Sequence, residues 1–208
     1  MIKALLLIFI PIHTWEQIAA FQRKTTTVLV TYLLPLLILS TAAECFGMVY
    51  WGKPRGGVSR LTTFSISEAV VYGIGRILLS LIVVLIMAKL IKALGETFHG
   101  RHSFDQVFKL AAYGMSPLFL LRVLNIFPAV SHWATWAVGL ILCFVILYHG
   151  LPVIMQPDPP HAFGLYFMTC LLMTFVTGLT CFLTVWYLNG RFGKLDELVS
   201  KLASYLPF

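Results

Sequence analysis

The chain has 208 residues, of which 59% are hydrophobic and 11% charged; its net charge is +7 and its mean hydropathy +0.89. An average soluble domain is about 45–50% apolar and about 25% charged, so too few polar residues are present to cover a water-soluble fold of this size. The basic balance does not point to nucleic acid: no basic stripe or motif supports it, and Lys and Arg cluster at the ends of apolar runs, where they meet headgroups.

The first residues, Lys3 and then Ala4 to Ile10, mimic a signal peptide, but Ile18-Ala19-Ala20 is a poor cleavage match and Pro11 closes a short apolar stretch. Trp15 and Glu16 give the segment an amphipathic character. A retained segment over residues 1–24, lying at the membrane interface, is the expectation.

Five apolar runs come next, at about 27–50, 69–94, 106–127, 133–155 and 162–188. Each meets the roughly 20 residues that a span requires. The first follows Arg23 and Lys24, ends at Tyr50-Trp51, and carries Pro35, where a kink is expected. Glu44, near its far end, is costly in lipid unless it reaches the interface. Lys53-Pro54-Arg55-Gly56-Gly57 belongs to an extramembrane loop. Ser67-Glu68 is read as the cap of the second helix, which is interrupted by Gly73, Gly75 and Arg76; Lys89 and Lys92 snorkel near its end. After a polar loop with His99, Arg101 and His102, the third run is the weakest, with Lys109, Gly114, Pro117 and Arg122.

A turn around Pro128 leads to the fourth run, marked by Trp133 and Trp136 and bent by Gly150 and Pro152. Gln156-Pro157-Asp158-Pro159-Pro160 cannot continue a helix. The fifth run ends at Trp186-Tyr187. Over 192–206, Leu195, Leu198, Val199 and Leu202 recur at helical spacing opposite Lys194, Asp196, Glu197 and Lys201, an amphipathic tail expected on the membrane surface. The fold class is therefore all-α: a polytopic helical bundle of about five transmembrane helices with amphipathic terminal segments, forming a single domain over 1–208. Basic residues divide almost evenly between the two faces, so the positive-inside rule barely orients the chain.

Three segments, in order, resemble one family. They are Phe9-Ile10-Pro11-Ile12-His13-Thr14-Trp15-Glu16-Gln17-Ile18, then Tyr113-Gly114-Met115-Ser116-Pro117 with Phe127-Pro128 after it, and Leu147-Tyr148-His149-Gly150-Leu151-Pro152-Val153-Ile154-Met155. Together they look like the YIP family of five-span membrane proteins in its bacterial form, over nearly the whole chain. The resemblance implies a cytoplasmic N-terminus, a C-terminus on the opposite side, and an integral protein of the bacterial inner membrane. Eukaryotic members associate with Rab GTPases and vesicle traffic. This sequence lacks their long acidic N-terminal region and their Asp-Leu-Tyr-Gly-Pro motif, so Rab binding is not carried over.

Arg76 and Arg122 are the first residues to examine, since a guanidinium in hydrocarbon costs about 2.5–3.5 kcal/mol on insertion scales. They either face a polar cavity or an anionic lipid, or they snorkel. Antiparallel neighbours would bring Glu44 near Arg76. Tyr113, Gly114 and Pro117 permit a broken helix or close packing, and His149, Gly150 and Pro152 pose the same choice. Cys45, Cys143, Cys170 and Cys181 read as small buried hydrophobes. His99 and His102 form H-x-x-H without a third ligand. No H-E-x-x-H, G-x-S-x-G or Walker loop occurs, so no enzyme, cofactor or metal site is predicted. The expected role is a non-catalytic membrane organiser or scaffold that recruits partners or shapes lipid. The alternative is a small transporter or channel subunit with a polar path near Arg76, Arg122 and Glu44. Besides the bilayer, protein partners or a second copy are open.

Overall fold

A computed structural model of the chain describes residues 6–8, 10–20, 24–54, 61–98, 102–191, 198 and 201. Among them, five helices are long and apolar enough to cross a membrane: Thr25–Tyr50, Ile66–Thr97, Phe104–Ile126, His132–Met155 and Pro160–Leu188. The tail over 192–206 lies outside the described residues except for Leu198 and Lys201, as do His99 and Arg101 of the second polar loop.

The outer faces are apolar at helical spacing. Ile74, Leu78, Ile82 and Leu85 are exposed on the second span, and Phe163, Phe167, Leu171, Phe175 and Leu179 on the fifth. So much greasy surface would drive a soluble protein to aggregate. Here it is the face turned to lipid, and the protein is an integral membrane protein.

Local chemistry sets where the helices start. Ser65 caps the second span in a reciprocal box: its hydroxyl accepts from the Glu68 N–H at 3.2 Å, and Glu68 accepts from the Ser65 N–H at 3.0 Å. The cap thus falls two residues ahead of Ser67, the residue read from the sequence, and Ser67 lies buried in the first turn. Ser103 and Gln106 form the same box ahead of the third span. In the first span a π-helical turn, Leu29–Leu33, ends two residues before Pro35. The wider turn accommodates a ring that would otherwise crowd the carbonyl four residues back.

The spans alternate in direction, so the bundle has two ends. One gathers Thr25, Thr97, Phe104 and Met155 and is called the Thr25 end. The other gathers Tyr50, Ile66, Ile126, His132 and Leu188 and is called the Tyr50 end. The third span is the most enclosed of the five. It has three pieces: Phe104–Gly114, Ser116–Leu121 and a 3₁₀ segment, Arg122–Ile126.

Apolar packing closes the Thr25 end. Phe108, Met87, Ile91 and Met155 are fully buried there, and the short helix Pro11–Ala20 docks against the fourth span. Trp15 is fully buried, and its indole N–H donates to the Ile146 carbonyl at 3.0 Å. Its ring fits over Gly150, where an added Cβ would come within 2.4 Å. His13 and Glu16 face outward. The segment expected at the interface is therefore held to the bundle by one face.

At the Tyr50 end the 3₁₀ segment presses on the first span at Gly47, where an added Cβ would sit 2.2 Å from the backbone oxygen of Ile126. Backbone cannot swing aside as a side chain can. Gly47→Ala is therefore expected to lower the thermal unfolding midpoint in detergent, by the equivalent of about 1–3 kcal/mol. Gly75→Ala, where an added Cβ meets nothing within 4 Å, should leave the midpoint unchanged or raise it slightly.

Candidate functional site

The polar residues of the spans gather around one carboxylate. Glu44 is fully buried, less than two turns before the first span ends. It does not reach the interface, as the sequence had allowed; its partners come to it. Tyr72 of the second span donates its hydroxyl to Oε1 at 2.8 Å, and His132, the first residue of the fourth span, donates through Nε2 at 3.1 Å. Arg122, from the 3₁₀ end of the third span, donates to Oε2 at 3.1 Å. Arg76 Nε stands 4.0 Å from the same oxygen. The fifth span joins through Thr184, whose hydroxyl accepts from Arg76.

Helical spacing assembles these groups. Tyr72, Arg76 and Ser80 lie four residues apart and share one face of the second span. Arg122 crosses between that face and the first span, donating to Ser80 at 3.1 Å and to Thr41 at 3.3 Å. Ser80 in turn donates to the Arg76 carbonyl at 2.8 Å. The close approach at Gly47 is what brings the 3₁₀ segment near enough for Arg122 to reach Glu44.

Positive charge exceeds negative here. Two guanidiniums face one carboxylate, and Lys53, from the loop after the first span, is buried nearby with its ammonium donating to the Asn125 carbonyl. Burial pulls the Lys53 pKa below that of an ordinary lysine, against the opposing pull of the Glu44 charge. Beside the cluster is a cavity of about 60 Å³, lined by Arg76, Ser80, Arg122, His132, Thr180 and Thr184 together with Val83, Leu118, Phe119 and Trp136. A second cavity, of about 270 Å³, is lined by Lys53, Pro128, Ser131, His132, Trp133 and Leu188. The two share His132.

The remaining residues singled out from the sequence lie elsewhere. Tyr113, Gly114 and Pro117 form the break in the third span. Tyr113 is buried, stacks obliquely on Tyr32 at 4.1 Å and meets Trp15 edge-on at 6.4 Å. The Ser116 hydroxyl bonds back to the Tyr113 carbonyl at 2.6 Å, and an added Cβ on Gly114 would meet Leu147 at 2.7 Å. His149 is half-buried with its ring edge-on to Tyr148 at 5.3 Å. Gly150 receives Trp15, and Pro152 lies inside the helix His132–Met155. These residues pack the Thr25 end and its neighbourhood and do not join the Glu44 cluster. All four cysteines are free. Among the described residues, no three His, Cys, Asp or Glu side chains stand close enough to hold a metal ion.

Tyr72, His132, Lys53, Ser80 and Thr184 were not singled out from the sequence. The available signal was spacing: isolated polar residues at four-residue intervals in otherwise apolar spans share a face and so must meet something polar. Lys53 and His132 carried no such signal, because both lie at loop edges that read as solvated.

Removing one partner from a buried charge network costs far more than removing a surface charge, commonly about 3–5 kcal/mol. Glu44→Gln keeps the volume but leaves both arginines without their counter-charge. It is expected to lower the thermal midpoint in detergent sharply, with Tyr72→Phe costing only about 1 kcal/mol. Glu16→Gln, an exposed control, should leave the midpoint in place.

A family model described as the Yip1 domain matches residues 5–180. No curated protein and no solved structure matches the chain. The match covers the docked N-terminal helix, the first four spans with the whole Glu44 cluster apart from Thr184, and most of the fifth. The chain belongs to the Yip1 family.

Proposed function

We propose that the protein is a non-catalytic membrane organiser: a rigid five-span body that recruits partners or shapes lipid. It would be seated in the bacterial inner membrane with its N-terminus in the cytoplasm. The observation that carries this reading is the depth and use of the charged cluster. Glu44 and its partners lie toward the Tyr50 end and tie all five spans together there. The Thr25 end is filled by Trp15, Phe108, Met87, Ile91 and Met155. A conduction path needs polar groups along its length, whereas here the carboxylate and its two guanidiniums lie toward one end, and at the other only Lys109 among the charged side chains of the described residues is buried. The Yip1 family is not a known enzyme family, which agrees with a non-catalytic role.

A second reading, a small transporter or channel subunit, draws on the cavity that Arg76 and Arg122 line. Reconstitution separates the two. Proteoliposomes of the purified chain are expected to pass protons and small ions no faster than empty vesicles. In native membranes, a photo-crosslinker at Trp133, which is exposed at the Tyr50 end, should give discrete adducts. Flux above background that Arg76→Gln abolishes would replace the organiser with the transporter.

A further inference from the structure

The two arginines have more hydrogen-bonding capacity than Glu44 and its neighbours use. Arg122 and Arg76 both line the 60 Å³ cavity, and the Nε–H of each is buried with no hydrogen-bond partner among the described residues. Side-chain exposure is 10% for each arginine. A buried charged donor left unmatched is costly, and two of them beside one cavity, with a single carboxylate to balance two guanidiniums, favour an added anion. We propose that this cavity binds a phosphoryl anion, either free phosphate or the phosphodiester of an acidic lipid headgroup.

Three further features suit that ligand. Guanidinium forks match the paired oxygens of phosphate; Ser80, Thr180 and Thr184 also line the cavity, and each hydroxyl, which now donates to a backbone carbonyl, would rotate from it to reach an anion. A single water needs roughly 10–15 Å³ of such cavity space, so about 60 Å³ leaves room for a small oxyanion. The site also lies toward the Tyr50 end, nearer to that end's headgroups than to those at the Thr25 end. There the wider cavity beneath Lys53 adjoins it at His132. Val83, Leu118, Phe119 and Trp136 in the same lining would meet the start of a glycerol or acyl group. Glu44 opposes any anion, but Arg122 and Arg76 already screen it. The inference holds whether the body organises the membrane or transports across it.

Two assays on the detergent-purified full chain distinguish the sources. Inorganic phosphate is titrated against chloride at constant ionic strength and followed by equilibrium dialysis. Separately, native mass spectrometry is run on protein released from nanodiscs of equal phosphatidylglycerol and phosphatidylcholine. Binding in the first assay alone assigns free phosphate; retained phosphatidylglycerol in the second alone assigns the lipid; binding in both assigns the shared phosphoryl group. Arg76→Lys keeps the charge but loses the Nε–H and the fork, and it should weaken binding about tenfold while eluting as a single folded species. Thr180→Val, on the cavity wall, should weaken it to a smaller extent. No preference for phosphate over chloride together with none for phosphatidylglycerol over phosphatidylcholine would overturn the proposal. So would a folded Arg76→Lys that binds as wild type.

Discussion

A carboxylate sealed from water inside a membrane protein must be matched completely by its neighbours. Glu44 sets that requirement here. It has no exposure, and it receives Tyr72 and His132 on one oxygen and Arg122 on the other, with Arg76 just beyond. Much of the Tyr50 end is shaped by meeting it. The third span tightens to a 3₁₀ segment that carries Arg122, the first span has glycine where that backbone presses on it, and the fourth span begins at the histidine that completes the shell. In hydrocarbon, apolar area gives no net attraction between helices, so such a polar tie specifies which spans meet and at what height.

The two ends of the bundle use different means. At the Thr25 end, Trp15 reaches over Gly150, Tyr32 and Tyr113 stack, and the core is mostly apolar, with Lys109 buried among it. At the Tyr50 end, hydrogen bonds and ion pairs do the joining, with small cavities left beside them. Van der Waals packing tolerates little change in volume, while a charge network tolerates little change in protonation or counter-charge. The two ends are therefore expected to fail by different routes, the Thr25 end on a change of volume and the Tyr50 end on a change of charge.

The fold was largely legible in the sequence because lipid makes the signal simple: runs of about 20 apolar residues separated by Pro, Gly and charge. The five spans lie where those runs stand, and the helices extend beyond them mainly where caps such as Ser65 and Ser103 begin earlier than the apolar residues do. The Yip1 membership was legible from the segments Phe9 to Ile18, Tyr113 to Pro117 with Phe127-Pro128, and Leu147 to Met155; within them Trp15 packs over Gly150 and Tyr113 against Tyr32. The site was legible in part. Antiparallel pairing of neighbouring spans was enough to bring Glu44 together with Arg76. The structure places Arg122 closer, because the break at Met115 and the 3₁₀ turn re-aim the end of the third span, and neither is visible in a hydropathy profile. Lys53 and His132 were hidden for another reason: a loop lysine and a helix-start histidine read as solvated until the chain folds over them.

Glu44 and Arg122 act as one unit holding the spans together, and a double-mutant cycle of Glu44→Gln and Arg122→Gln, read by thermal unfolding in detergent, measures that coupling. The double variant is expected to be markedly more stable than the sum of the single losses implies, with a coupling within the roughly 0.5–3 kcal/mol found for contacting groups. Additive losses, or two single variants as stable as wild type, would contradict it.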